Sequence, residues 1–212
     1  AGISWIGWAG WERDAVGVLS GRQLHAFCAL RRKPSFRDVP DEWVHLAIRD
    51  GVVRTDSYPN SETMLCVDDQ GSLTACSFAR LKEDVTVGPA GFLRNDHATV
   101  PFGWKTAGVA FVVRDDAVYE FVPLHTPEVK TCRIVAPARA LIWRTATEYV
   151  VLSKPGANGV SKLLWGDLAR PGWQRELDTG PDEIEDIRLS DDHSRLVAIA
   201  RSGAVRIYPL TP

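Results

Sequence analysis

Three features of this sequence predict an all-β fold of about five repeated four-stranded units. Short runs rich in Val, Ile, Leu and Phe, bounded by Gly, Asp, Asn and Pro, recur along the chain, while long stripes of period 3.6 are absent. These runs pair off as strand, tight turn, strand. The turns also keep an interval: Gly21, Gly71, Asp116, Gly159 and Gly203 lie 50, 45, 43 and 44 residues apart. That spacing fits the roughly 40–45 residues of a four-stranded propeller blade, and it is too long for a leucine-rich repeat.

The clearest hairpin is the last, Ile187 to Leu210, which reads as strand, polar turn, strand, Ser-Gly turn, strand. In Ala204-Val-Arg-Ile-Tyr208, Val205 and Ile207 alternate with Ala204, Arg206 and Tyr208, as a half-buried strand requires. Residues 15–29, 64–78, 109–122 and 149–165 repeat the pattern, each with Gly or Asp where a left-handed turn residue is wanted. A second register supports the count. Trp11, Trp104 and Trp143 precede three of the hairpins, and Trp104-Lys-Thr-Ala107 and Trp143-Arg-Thr-Ala146 look like copies of one unit. Between hairpins, residues 43–48, 85–87, 131–135 and 173–177 supply outer strands. The expected organisation is one propeller domain over 1–212, with units at 1–48, 49–90, 91–136, 137–178 and 179–212. Inner strands are expected to face a central channel, with the hairpins outside it. The count is nineteen strands, one short of twenty, because the fifth unit stops after its third. An unpaired blade edge is a hazard that proteins cover or close. The missing strand is therefore expected from upstream residues, from another chain or from further blades.

Composition narrows the function classes. With 45% apolar and 25% charged residues the 212-residue chain is globular rather than disordered. A net charge of −2 removes the main electrostatic argument for a nucleic-acid binder. No apolar run reaches the roughly 18 residues of a membrane span, and no basic-then-apolar leader opens the chain, so neither a membrane partner nor secretion is expected. Cys28, Cys66, Cys76 and Cys132 sit in apolar stretches without a CxxC pair. They read as buried thiols in a reducing, cytoplasmic compartment, although spacing alone leaves two disulfides open.

The segment from Leu189-Ser-Asp-Asp-His-Ser-Arg-Leu through Ala204-Val-Arg-Ile-Tyr208 resembles the WD40-like propeller family, and the other four units resemble it more weakly. No Gly-His pair opens the repeats and no Trp-Asp pair closes them, which marks a divergent member. The resemblance implies a scaffold that binds other proteins on its faces.

Candidate chemistry is sparse. The acidic stretch Asp182-Glu-Ile-Glu-Asp186, followed by Asp191-Asp192, offers a metal site or paired carboxylates, but its spacing matches no calcium loop. Read structurally, it is a solvated loop and a polar turn. Five-bladed propellers include glycosidases, and Asp56 and Asp186 fall on expected inner strands, which gives a glycan-active propeller as the alternative. His25, His45, His97, His125 and His193 are scattered, with no HxH or HxxxH pair. No nucleophile elbow or phosphate loop appears. The expectation is a non-enzymatic scaffold without cofactor, metal or catalytic residue, part of a larger assembly. Its partner is another protein chain or a further domain of the same polypeptide. The candidate binding residues are Arg31, Arg32, Lys33 and Arg37, in the longest linker, and Trp5 and Trp8. In Ile3-Ser-Trp-Ile-Gly-Trp8 the apolar residues cannot share one face, so one Trp of the pair is expected at the surface or under a partner.

Overall fold

The computed structural model describes residues 2–9, 15–30, 42–57, 63–78, 83–86, 93, 100–106, 108–122, 129–190 and 192–210. Among them the regular structure is all strand, in five antiparallel sheets whose strands follow one another in chain order. The first sheet holds β1 (Ile3–Ala9), β2 (Ala15–Ser20), β3 (Gln23–Leu30) and β4 (Glu42–Asp50). The second holds β5 (Val52–Ser57), β6 (Thr63–Asp68), β7 (Leu73–Ser77) and β8 (Glu83–Thr86). The third holds β9 (Phe102–Thr106), β10 (Val109–Arg114), β11 (Ala117–Phe121) and β12 (Lys130–Arg133). The fourth holds β13 (Ala138–Trp143), β14 (Glu148–Ser153), β15 (Leu163–Asp167) and β16 (Gln174–Leu177). The fifth has three strands, β17 (Ile184–Leu189), β18 (Arg195–Ala200) and β19 (Val205–Pro209).

Four of the five expected turn residues hold a left-handed backbone: Gly21, Gly71, Gly159 and Gly203 have φ between 60° and 85°. In the third hairpin that role falls to Asp115 (φ 55°) and not to Asp116, the residue marked from the sequence. Of adjacent aspartates either tolerates this conformation, so spacing could not separate them. Trp104 and Trp143 both lie on the strand before their hairpin, Trp143 as the last residue of β13 and Trp104 inside β9. Trp11 falls outside the described residues.

The chain divides into two compact units, one of residues 1–98, 107–110 and 121–129, the other of 99–106, 111–120 and 130–212. The core of the first lies between the first two sheets, where Leu19, Leu24 and Ala26 meet Val52, Met64, Cys66 and Cys76. Trp5 packs on this core over Gly17, where an added Cβ would lie 2.8 Å from the indole. In the second unit, Phe111, Val113 and Val118 of the third sheet pack on Leu141, Trp143, Tyr149 and Val151 of the fourth. Leu152, Leu163 and Trp165 of the fourth in turn pack on Ile184, Ile187, Leu196 and Ala198 of the fifth. Arg139 of β13 donates to the carbonyls of Ile184 and Glu185, and Arg144 Nε donates to His193 O at 3.2 Å, tying the fourth and fifth sheets at both ends.

Candidate docking surfaces

The predicted basic segment Arg31, Arg32, Lys33 and Arg37 lies outside the described residues. Trp5 is half-buried on the core of its own unit, and the backbone of Trp8 pairs with Val16. Each described carboxylate of the acidic stretch that shows a side-chain partner meets a cation or hydroxyl. Asp182 meets Arg206 at 3.1 Å, Glu183 meets Arg201 at 3.2 Å, and Asp186 meets Arg188 at 2.9 Å. The Asp192 carboxylate accepts the hydroxyls of Ser190 at 2.5 Å and Ser194 at 2.7 Å. These bonds hold its acid well below the usual carboxylate range. This geometry is that of a stitched polar turn. Asp186, a carboxylate of the glycan-active alternative, is held by an arginine two residues along its own strand.

Two sheet faces stand out by their exposure. Strand alternation in the first sheet turns Ala15, Leu19, Leu24 and Ala26 to the core, so the opposite face carries Val16 and Val18 of β2 and His25 and Phe27 of β3. The cross-strand partners of these residues complete that face. Ile6 lies opposite Val18, Ile48 opposite His25, His45 opposite Phe27, and Trp43 opposite Ala29. Ile6 is 61% exposed, Ile48 50% and Trp43 41%. The second face belongs to the fifth sheet. Leu196, Ala198 and Ala200 turn inward, leaving Val197 and Ile199 beside their partners Ile207 and Val205, which are 59% and 58% exposed. Contiguous exposed apolar residues of this kind mark interaction surfaces.

The first face also corrects the sequence reading of the histidines. His25 and His45 read as scattered because no short spacing joins them. Antiparallel pairing of β3 with β4, with a bulge at Ala26/Phe27, brings His25 Nδ1 to 3.4 Å from His45 Nε2. Phe27 completes the cluster, its ring centroid 5.0 Å from that of His45 and 6.3 Å from that of His25. The signal in the sequence was the alternation Leu24-His-Ala-Phe27, which sets His25 and Phe27 on the face opposite the core; the partner on the neighbouring strand carries no such mark.

A chemically mixed cluster lies within the second unit. Lys105 of β9 reaches across β10 to Glu120 of β11, Nζ to Oε1 at 2.5 Å, with both side chains about nine-tenths buried. Lys105 Nζ also sits 4.2 Å from the ring centroid of Trp143. Cys132 Sγ lies 3.6 Å from Glu120 Oε1, and its thiol is pushed up to about 11, first by burial and then by the Glu120 charge. A thiol held protonated beside a paired carboxylate is a weak nucleophile near neutral pH. Beyond Cys132, a groove of about 650 Å³ runs between β12 and the fourth sheet, lined by Lys130, Ile134, Val135, Leu168 and Trp173.

No family model and no curated protein matches the sequence. Solved structures do. The chain is similar to Sqt1 of Chaetomium thermophilum, solved bound to the N-terminus of the ribosomal protein L10. The TM-score is 0.65 at 11% identity, covering 98% of this chain and 59% of that one. It is similar to the C-terminal WD40 domain of Sif2, with a TM-score of 0.60 at 10% identity over 97% of this chain and 57% of that one. Hsv2 of Kluyveromyces lactis gives a TM-score of 0.60 at 9% identity over 98% and 60%. The chain thus spans less than two thirds of the length of each of these three structures. Its fold is that of a WD40-like β-propeller.

Proposed function

We propose that this chain is a non-enzymatic protein-interaction scaffold, a domain or subunit of a larger cytoplasmic assembly. One observation carries the reading: the first and fifth sheets each present an apolar face to solvent, with Ile6, Ile48, Val205 and Ile207 all at least half exposed. The corresponding faces of the second to fourth sheets are made of the same residue types and lie mostly in cores. The occupant that fits is another antiparallel sheet with alternating apolar residues, which means further propeller-type blades supplied by the same polypeptide or by a second chain. The matched structures support this, because they extend well past the 57–60% of their length that the chain covers. That Sqt1 was solved with a bound protein segment supports a protein partner for this kind of fold. The basic residues Arg31, Arg32, Lys33 and Arg37 are proposed as a second docking element, on a loop carried by a rigid scaffold. Trp5, engaged with its own core, is proposed to support the first sheet, with Trp8 beside it on β1.

Light scattering of the purified chain, with and without the proteins encoded beside it, tests the proposal. The expected result is self-association and binding of an apolar dye by the chain alone, both lost when a co-expressed neighbour forms a stoichiometric complex. A monodisperse, dye-silent monomer would overturn it. So would cleavage of a sugar panel that Asp56→Asn and Asp186→Asn abolish, the outcome the glycan-active alternative requires.

A further inference from the structure

His25 and His45 come together across two strands of the first sheet. The two imidazoles come from adjacent strands of one sheet, so the backbone ladder fixes their separation: His25 lies opposite Ile48, and His45 lies opposite Phe27 beyond the bulge. Their nearest ring nitrogens, Nδ1 of His25 and Nε2 of His45, are 3.4 Å apart, and the ring planes are tilted 41° with centroids 5.4 Å apart. A divalent zinc-type ion binds imidazole nitrogen at about 2.0–2.1 Å, so two nitrogens at a tetrahedral angle stand roughly 3.3–3.4 Å from each other. The observed separation, at which the two rings can share a long hydrogen bond, also matches the bite of a two-imidazole chelate. Phe27 lies against both rings, at 6.3 Å from His25 and 5.0 Å from His45. An aromatic wall of this kind restricts the ring orientations, and preorganised ligands lose little freedom on binding.

We propose that His25 and His45 form a bidentate site for a borderline divalent transition ion of the zinc, copper and nickel class. Imidazole nitrogen suits these ions and not magnesium or calcium, which take oxygen ligands. His25 is half-buried and His45 exposed, which leaves one side of the pair open to solvent. A tetrahedral ion held there keeps two positions for water or for a ligand from outside the chain. The site rests on the cross-strand geometry of the chain alone, in which the first face is open; a sheet packed on that face would take up the two remaining positions.

The test is a titration of the untagged, metal-stripped chain with Zn²⁺ against a competing chromophoric chelator, run beside His25→Gln, His45→Gln and His193→Gln. One equivalent of Zn²⁺ is expected to bind the wild-type chain. Loss of either member of the pair should weaken binding by about a hundredfold, since a chelate becomes a single ligand. His193, whose Nδ1 lies 2.9 Å from the Arg144 carbonyl in the fifth sheet, serves as the control and should leave the affinity unchanged. With Cu²⁺, the electron paramagnetic resonance spectrum should carry hyperfine structure from two equivalent-type imidazole nitrogens, reduced to one in either variant. Affinity unchanged by His25→Gln and His45→Gln, or a wild-type copper spectrum with a single imidazole nitrogen, would overturn the proposal. Circular dichroism of the variants separates ligand loss from misfolding, and the exposed position of His45 makes its variant the decisive one.

Discussion

β15 and β19 hold the same place, the third strand of their sheets, yet their surroundings differ completely. Leu163-Leu-Trp-Gly-Asp167 is buried along its whole length, whereas Val205-Arg-Ile-Tyr-Pro209 alternates between exposed and half-buried. β15 has β16 along its outer edge, pairing Leu163 with Leu177 and Trp165 with Arg175. It also has a packed sheet against each face. Leu163 and Trp165 look to the fifth sheet, while Leu164 and Gly166 stand beside Val151 and Tyr149, which look to the third. Among the described residues β19 has packing on one face alone, where Arg206 meets Asp182 and the Tyr208 hydroxyl donates to Asp178 O at 2.8 Å. The apolar content of a strand therefore decides which residues share a face, and the neighbouring sheet decides whether that face is worth anything to stability.

The largest effect expected from this contrast is at Trp165, 2% exposed and edge-on to Trp173 at 5.6 Å. Trp165→Ala should cost about 3–5 kcal/mol, the range for deleting a fully buried aromatic. Ile207→Ala, on the exposed face of β19, should stay within about 0.5 kcal/mol. Urea unfolding of the two variants measures the difference directly. Equal losses would mean that β19 is covered in solution and that the contrast is false.

Ion pairs sharpen the same point. Lys105 and Glu120 are about nine-tenths buried, while Lys162 and Glu176 are each 56% exposed at a comparable 2.8 Å. Glu120→Gln strands an ammonium under the Trp143 ring and should cost about 3 kcal/mol. Glu176→Gln should cost less than about 1 kcal/mol, and that little should vanish in high salt.

How far the fold was legible follows from these particulars. The hairpins, their interval and the strand count could be read because alternation and turn residues are local. The three strands of the fifth sheet were legible too, because the alternation in Ala204-Val-Arg-Ile-Tyr208 marks the third of them. What could not be read was anything set by pairing across strands. His25 and His45 meet through the register of β3 with β4, and Lys105 finds Glu120 across an intervening strand. The bulge at Ala26/Phe27, which puts His45 opposite Phe27, leaves no trace in residue types. The acidic run 182–186, read from the sequence as a solvated loop and not a metal site, is spread among Arg139, Arg188, Arg201 and Arg206 in space, partners that its own residue types do not name.

A thiol contrast comes next in size. Burial first and the Glu120 charge second push the Cys132 thiol up to about 11. The unfolded chain ionises this thiol near 8.5. A raised acid pKa favours the folded state only while the thiol stays protonated. Its contribution is thus complete below about pH 8.5 and lost as pH climbs towards 11. Iodoacetamide labelling of Cys132, followed by mass spectrometry, should keep accelerating between pH 9 and 11 in the native chain. In urea the rate should level off near pH 9. A native rate that levels off at the same pH would show that Glu120 and the burial around it leave the thiol unperturbed.

The smallest expected change in stability is paired with a large change in behaviour. Ile207→Lys places a cation in the middle of the exposed face of β19, between Val205 and Pro209, on a strand whose outer edge is open in the described structure. Because Ile207 already contacts water over most of its surface, the substitution removes little buried area, and unfolding should shift by no more than about 0.5 kcal/mol. Association is another matter, since a lysine on an edge strand is a common means by which proteins block sheet-to-sheet addition. Light scattering across a concentration series should show the variant staying dispersed at concentrations where the parent chain associates. If the variant unfolds earlier and also associates more, Ile207 is a core residue in solution. The face assigned here to a partner would then belong to the chain itself.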